Sequence, residues 1–524
     1  MMCIHPTKKE LLIGSPKNRF KNMDEIPSPY LSGLLDNFLN NNYIPSMETR
    51  RGCPFRCAYC HTGQEMPKII STFSVERIKD ELSYIQSRVA NISGSRTLAI
   101  HDSNWGMYDS DYEIAEYIAS LIRQYDWPKN VEISSGKKHH DRSLRIMKLT
   151  KNRIPLNLSL QSSNPKTLKV IQRTNLSQKK YMNIVNELKK NGQPAQCELI
   201  IPMPEETKQS YFDEQKYLIE GGVSTSTYTL MMLKGTLISS NEFREKYKLK
   251  TKYRILPKQF GEYCGEKCFE VEEVCVESHM MPYEDYLECR GFSYLAETFS
   301  YINFDIIRRH LKELNISFYA YILYVMKTIT SKDVLLSEIY SRFTKEATDE
   351  LFDSKAAIYD YFYKPENYDK LIRKRRGDNL LRKYLSEFFL LDSSMLFEFT
   401  YSILKNIAEE KITPEISESL DAAKQWASHV ITINSVFNDE TTLNDVVILN
   451  LSYDVQSWYQ SSNNSKSLLE YKRPVKYKIF YDHKKINGIS YECRDLFGED
   501  KSFQLGKFLS TRNVTELWRN CFII

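Results

Sequence analysis

Arg50-Arg51-Gly52-Cys53-Pro54-Phe55-Arg56-Cys57-Ala58-Tyr59-Cys60 spaces three thiols as CxxxCxxC, just after a short run expected to be a strand. Three thiolates on one short loop can each bind one iron of a cubane cluster, which leaves the fourth iron without a protein ligand. Such an open iron can hold a small chelating molecule, much as a catalytic zinc keeps one position for water or substrate. Gly52 and Pro54 suit the tight path the backbone must take around the cluster. The alternatives are a three-cysteine zinc knuckle or incidental thiols. Zinc calls for a fourth Cys or His at finger-like spacing, and His61 is too close to serve.

Outward from this loop, short apolar or β-branched runs alternate with amphipathic stretches. The runs are Met47–Arg50, Thr97–His101, Val131–Ser134, Pro155–Leu160, Cys197–Ile201 and Ser226–Met231. Between them, Val75–Val89, Tyr112–Arg123, Thr167–Gln172, Lys179–Lys190 and Gln209–Glu220 carry Leu and Ile at three- and four-residue steps, the period of a helix with one buried face. Strand and helix alternating in this way predict parallel strands with right-handed crossovers. The expected fold is therefore α/β, a partial (β/α)6 barrel with its chemistry at the C-terminal ends of the strands. The expected parts are a leader and lead-in segment (1–45), the barrel (46–250), an irregular connector (251–293), a helical domain (294–430) and a small mixed C-terminal region (431–524).

Composition limits the function classes. Of 524 residues, 42% are hydrophobic and 27% charged, the range of globular chains that bury a core. The net charge of +5 is too balanced to argue for nucleic acid, which is not an expected partner. The N-terminus has no apolar signal core, and the apolar stretches near Phe318–Met326 and Phe388–Phe399 are too short or too interrupted to span a bilayer. A cytoplasmic protein follows. In that reducing compartment the eleven cysteines read as metal ligands, reactive thiols or buried small residues rather than disulfides.

With an aromatic before the last cysteine, CxxxCxxC after a first barrel strand resembles the radical S-adenosylmethionine (radical-SAM) superfamily. Ile26-Pro27-Ser28-Pro29-Tyr30-Leu31, Asp102-Ser103-Asn104-Trp105-Gly106, Leu160-Gln161-Ser162, Ile201-Pro202-Met203-Pro204-Glu205-Glu206-Thr207 and Leu233-Lys234-Gly235-Thr236 resemble segments of its cobalamin-associated branch and of methylthiotransferase-like relatives. The segment after Ile201 lacks both glycines of that branch's Gly-Leu-Pro-Gly-Glu-Thr pattern. The resemblance covers about residues 26–292. It implies a 4Fe-4S cluster on Cys53, Cys57 and Cys60, with S-adenosylmethionine chelating the open iron. An electron from the cluster then cleaves that molecule to methionine and a 5′-deoxyadenosyl radical, which takes hydrogen from a substrate. By the same resemblance, Tyr59 would lie near the adenine and Asp102 to Asn104 near the methionine amino group. Gln161, Ser162 and Arg173 would lie near ribose or carboxylate. Each has a plainer alternative: Tyr59 as core, Asp102 as a helix cap, Arg173 as a solvated helix residue.

The implied activity is modification of a small-molecule or biosynthetic-intermediate substrate, by methyl transfer or carbon-centred rearrangement, with an electron donor such as flavodoxin or ferredoxin. A tRNA methylthiotransferase-like enzyme is one alternative. A non-enzymatic iron–sulfur electron carrier or sensor is the other. Relatives in the branch usually carry a cobalamin-binding domain before the Ile-Pro-Ser-Pro-Tyr segment. Here that segment begins at Ile26, and no Asp-x-His-x-x-Gly occurs in the chain. Cobalamin is not expected in the isolated chain. Either the reaction does not use it or a cobalamin-carrying subunit brings it, in which case the N-terminal edge should be exposed and apolar. Cys264, Cys268, Cys275 and Cys289 are expected to be incidental thiols, and Arg373-Lys374-Arg375-Arg376 and Arg308-Arg309-His310 solvated helix faces. His139-His140 and His279 lack ligand-like spacing.

Overall fold

Leu98, Ala99 and Ile100 are buried in succession, the mark of a strand covered on both faces. The computed structural model describes residues 2–4, 7, 10–14, 20, 22–39, 43–63, 70–89, 97–332, 334–373, 379–437, 445–461 and 466–524. The chain divides into two compact units. One comprises Met1–Leu158, Ile171–Gln193 and Lys234–Leu237; the other comprises Ser159–Val170, Pro194–Leu233 and Ile238–Ile524.

In the first unit β1 (Ser46–Met47), β2 (Thr97–Trp105) and β3 (Asn130–Ser135) pair in parallel, in that order. α1 (Val75–Val89) turns Ile78, Leu82, Ile85 and Val89 inward, and α2 (Asp109–Tyr125) does the same with Ile114, Ile118 and Leu121. These faces join Leu98, Ile100 and Val131 in one core, as the helical spacing predicts. Leu82 and Ile85 are wholly buried, so truncating either to Ala would cost about 2–5 kcal/mol. α3 (His140–Leu149), which the sequence patterns did not single out, and α4 (Gln178–Lys190) follow.

In the second unit β4 (Gln196–Ile201) and β5 (Ser224–Thr229) pair in parallel, from Gln196 opposite Ser224 to Ile201 opposite Thr229. α5 (Lys208–Glu220) connects them and starts at Thr207, whose hydroxyl accepts from the Ser210 N–H. β5 buries Thr225, Thr227 and Thr229, and their hydroxyls bond Gln215, Tyr211 and Tyr286. Buried polar groups paired in this way avoid the desolvation penalty of lone hydroxyls.

The expected fourth strand, Pro155–Leu160, does not form. Pro155 has no N–H to give, Asn157 gives its own to Ser135 Oγ at 3.0 Å, and Leu160 gives its own to Cys197 Sγ at 3.5 Å. Gln161, at φ 66°, makes one isolated bridge to Leu199. Among the described residues the parallel pairing therefore comes as one three-strand and one two-strand ladder, with no closed barrel. The expected α/β class holds, and the six-strand pairing of a partial barrel is not seen among the described residues.

Residues 251–293, expected to be irregular, are also ordered. β6 (Lys250–Tyr263) and β7 (Glu266–Glu277) form an antiparallel hairpin, and α6 (Tyr283–Phe299) follows. Charged residues on both hairpin faces hide its two-residue period, because they pair instead of alternating with apolar ones. Arg254 meets Glu272 at 2.6 Å and Lys250 meets Glu277 at 2.6 Å. Beyond α6, helices run from Asp305–Glu313 to Pro414–Val430. The C-terminal region pairs Val447–Tyr453, Lys472–Phe480 and Asn520–Ile523 in an antiparallel sheet, with helices at His483–Phe497 and Lys501–Thr511.

Among the described residues no helix is long and apolar enough to cross a membrane. Leu11, Phe20, Leu34, Phe38, Tyr43 and Ile44 are each more than half exposed, which concentrates apolar surface in the N-terminal segment.

Candidate active site

The cysteine loop is anchored by a buried charge network on its N-terminal side. Asp102, 1% exposed on β2, accepts the Thr49 N–H at 2.7 Å, the Arg50 N–H at 3.3 Å and the Thr49 hydroxyl. Arg50 pairs with Asp102 through Nε at 3.2 Å and with Asp111, and its guanidinium lies 4.0 Å over the Tyr108 ring. Asp111 also accepts the N–H groups of Gly106 and Tyr108, at 2.8 and 2.9 Å. Burial pushes Asp111 up to about 6 and raises Asp102 as well, against the lowering pull of hydrogen bonds and Arg50. Both Asp102 oxygens are thus engaged within the protein, and the residue fixes the backbone that leads into the loop.

The loop itself leaves β1 and a short strand, Arg50–Arg51, and turns at Gly52, whose φ of 111° favours glycine. Cys53 and Cys57 are buried and Cys60 is half-buried. One side chain from within β2 and one from just past β3 reach the first two sulfurs. Asn104 Nδ2, near the end of β2, stands 3.1 Å from Cys53 Sγ, and Lys137 Nζ, two residues past β3, stands 3.1 Å from Cys57 Sγ. Cys60 Sγ lies 3.1 Å from Thr62 Oγ1. Asn104 Oδ1 is buried with no hydrogen-bond partner among the described residues.

Tyr59 and Arg173 are brought together: Arg173 Nη1 donates to Tyr59 Oη at 2.9 Å, and Ala58 N donates to Ile171 O at 2.9 Å. Burial raises Tyr59 well above its ordinary value, opposed by Arg173 and reinforced by Cys57. Tyr59, Asp102, Asn104 and Arg173 all belong to the first unit, with the three cysteines. Gln161 and Ser162 belong to the second. There Ser162 and Ser210 donate to buried Glu206, and Ser163 N donates to Glu214 at 2.9 Å. Burial, then the charge of Glu206, pushes Glu214 up to about 8.

Among the described residues no three His, Cys, Asp or Glu side chains could hold one metal ion. Three thiolates on one loop are the number of protein ligands that a cubane with one open iron takes.

Lys137, Arg50 and Asp111 were absent from the sequence-derived candidates. Lys137 lies directly past a predicted strand, where barrel geometry puts active-site loops, and that position was its available signal. Cys264 and Cys268 are exposed at the hairpin turn, whereas Cys275 is buried and pushed up to about 12 by that burial. Arg308 and Arg309 do not form a solvated face. Arg308 bonds the carbonyls of Phe299 and Tyr301, Arg309 bonds the Trp458 carbonyl, and His310 stacks 4.7 Å from Trp458. Lys374, Arg375 and Arg376 lie outside the described residues.

Residues 47–214 match the family model of the Radical SAM superfamily. The matching relatives include the cobalamin-dependent radical SAM methyltransferase TokK of Streptomyces tokunonensis, 27% identical over 54% of this chain and 42% of its own length. They also include the 2-(S-pantetheinyl)-carbapenam-3-carboxylate methyltransferase of Streptantibioticus cattleyicolor, likewise 27% identical, over 54% and 42%. Over about half of its length the chain is thus similar to two methyltransferases, one of them named as a cobalamin-dependent radical SAM methyltransferase. The chain spans less than half the length of these curated relatives. Among solved structures, the cobalamin-dependent S-adenosylmethionine radical enzyme OxsB aligns at 13% identity and a TM-score of 0.40, over 81% of this chain and 63% of that one.

Proposed function

We propose that this chain is a radical-SAM enzyme in which Cys53, Cys57 and Cys60 hold a 4Fe-4S cluster. The observation that carries the reading is the loop itself: three thiols, two of them buried, each sulfur beside a polar side chain, in the segment matching the superfamily. Bound there, the cluster and S-adenosylmethionine supply a 5′-deoxyadenosyl radical. The protein's own residues bind and shelter. Asp102 and Arg50 fix the lead into the loop. Asn104 Oδ1, a buried acceptor without a partner among the described residues, suits the methionine amino group, and the Tyr59–Arg173 pair suits the nucleoside. Gln161 and Ser162 are proposed for the ribose or carboxylate.

For the reaction, both named relatives are methyltransferases, which favours methyl transfer to a small molecule over rearrangement. Their branch also brings cobalamin into the reading. The exposed apolar residues between Leu11 and Ile44 suit a docked partner. A cobalamin-carrying partner is proposed where the reaction uses cobalamin. The reductant is a flavodoxin or ferredoxin, and the compartment is the reducing cytoplasm.

The test is anaerobic reconstitution followed by chromatographic detection of 5′-deoxyadenosine, with dithionite and candidate methyl acceptors. Release that depends on the cluster supports the reading. A reconstituted chain that never cleaves S-adenosylmethionine contradicts it. Stoichiometric cobalamin retained by the purified chain would overturn the proposal of a cobalamin-carrying partner.

A further inference from the structure

Two of the three loop sulfurs receive an N–H donor from a side chain outside the loop. Asn104 Nδ2 lies 3.1 Å from Cys53 Sγ, and Lys137 Nζ lies 3.1 Å from Cys57 Sγ. The placement is built. Asn104 is 3% exposed, and its position is fixed by β2. Lys137 follows Gly136, whose N–H bonds the Trp105 carbonyl at 2.8 Å. A Cβ at Gly136 would meet Met107 Cβ at 2.9 Å and the Asn104 carbonyl at 3.2 Å, so only glycine lets this backbone pass so close to the end of β2. Lys137 is half-buried, and its Nζ also lies 5.1 Å over the ring of Phe55, inside the loop, a contact that favours its place beside Cys57.

A hydrogen bond to a cluster sulfur draws negative charge toward the donor, and a cationic donor draws more. A cluster gains negative charge when it is reduced. Donors fixed beside two of its thiolates therefore stabilise the reduced form more than the oxidised form, and burial strengthens the effect. We propose that Lys137 and Asn104 are positioning residues that set the reduction potential of the cluster, Lys137 through Cys57 and Asn104 through Cys53. This rests on the cluster assignment made above. It adds to it that the potential is raised by donors from within β2 and just past β3, with Lys137, the charged one, contributing more.

The experiment is a redox titration of the reconstituted full chain, read by electron paramagnetic resonance without S-adenosylmethionine, alongside iron content. Lys137→Met should keep its iron and shift the midpoint downward by a tenfold change in the ratio of reduced to oxidised cluster, about 59 mV for one electron. Lys137→Arg, which keeps a cationic donor, should restore the wild-type value, and Asn104→Leu should shift it downward by less than Lys137→Met. If Lys137→Met sheds its iron, Lys137→Gln carries the measurement, since it keeps an N–H and drops the charge. Full iron with a wild-type midpoint in both Lys137→Met and Asn104→Leu overturns the proposal and leaves the cluster assignment standing. Wild-type protein that takes up no cluster overturns both.

Discussion

Thr49 donates its backbone N–H to Asp102 Oδ1 over 2.7 Å, which ties the residue four positions before Cys53 to a strand fifty residues further along the chain. The same carboxylate faces the buried guanidinium of Arg50. Removing it leaves a charge in the interior with one partner fewer, and breaking a buried pair in this way typically costs about 3–5 kcal/mol. Asp102→Ala should lose stability on that scale in urea unfolding. A loss below about 1 kcal/mol would show that Asp102 does not anchor the loop.

The second unit carries a pH dependence. Glu214, ordinarily at 4.5, is pushed up to about 8 by burial and the charge of Glu206, and burial raises Glu206 too. A carboxyl whose folded value lies above its unfolded value binds more protons when folded. Its stabilisation is complete below the unfolded value and is lost as pH rises toward the folded one. Wild type should therefore lose stability relative to Glu214→Gln between about pH 4.5 and about pH 8. Parallel curves for the two proteins would place Glu214 outside this account.

Arg173 and Tyr59 meet at 2.9 Å, and the proposal places S-adenosylmethionine beside them. Tyr59→Phe keeps the ring and removes the oxygen that accepts from Arg173. It should weaken S-adenosylmethionine binding to the reconstituted protein by about tenfold, the value of one hydrogen bond to a charged group. Equilibrium dialysis reads this, and unchanged affinity would remove the pair from the site.

The hairpin thiols give a control. Cys264 and Cys268 are exposed while Cys275 is buried on the same hairpin. Replacing Cys264 and Cys268 by Ser and Cys275 by Ala should leave the iron content of the reconstituted chain unchanged. Loss of about half the iron would reveal a second cluster, because thiolates are the usual ligands.

Most helices and strands of the first 230 residues were legible because apolar residues recur at the helical period and buried strands read as continuous apolar runs, His140–Leu149 being a helix that this reading did not single out. The fourth strand was misread because Pro155–Leu160 has strand composition, while its N–H groups end on a side-chain hydroxyl and a thiol. The hairpin at Lys250–Glu277 was missed for the opposite reason, since its charged pairs suppress the alternation that marks a strand. In the loop, cysteine spacing identified the three thiols. Neither Lys137 nor the Arg50–Asp111 pair has a local motif, because each depends on partners 80 and 61 residues away.

The central claim is that the loop cysteines hold a cluster with one open iron. Its most direct measurement is the iron content and electron paramagnetic resonance of anaerobically reconstituted wild type and Cys57→Ala, with and without S-adenosylmethionine. Wild type should carry about four irons per chain, with a reduced-state signal that changes when S-adenosylmethionine is added, and Cys57→Ala should lose both. Full iron and an unchanged signal in Cys57→Ala would contradict the account.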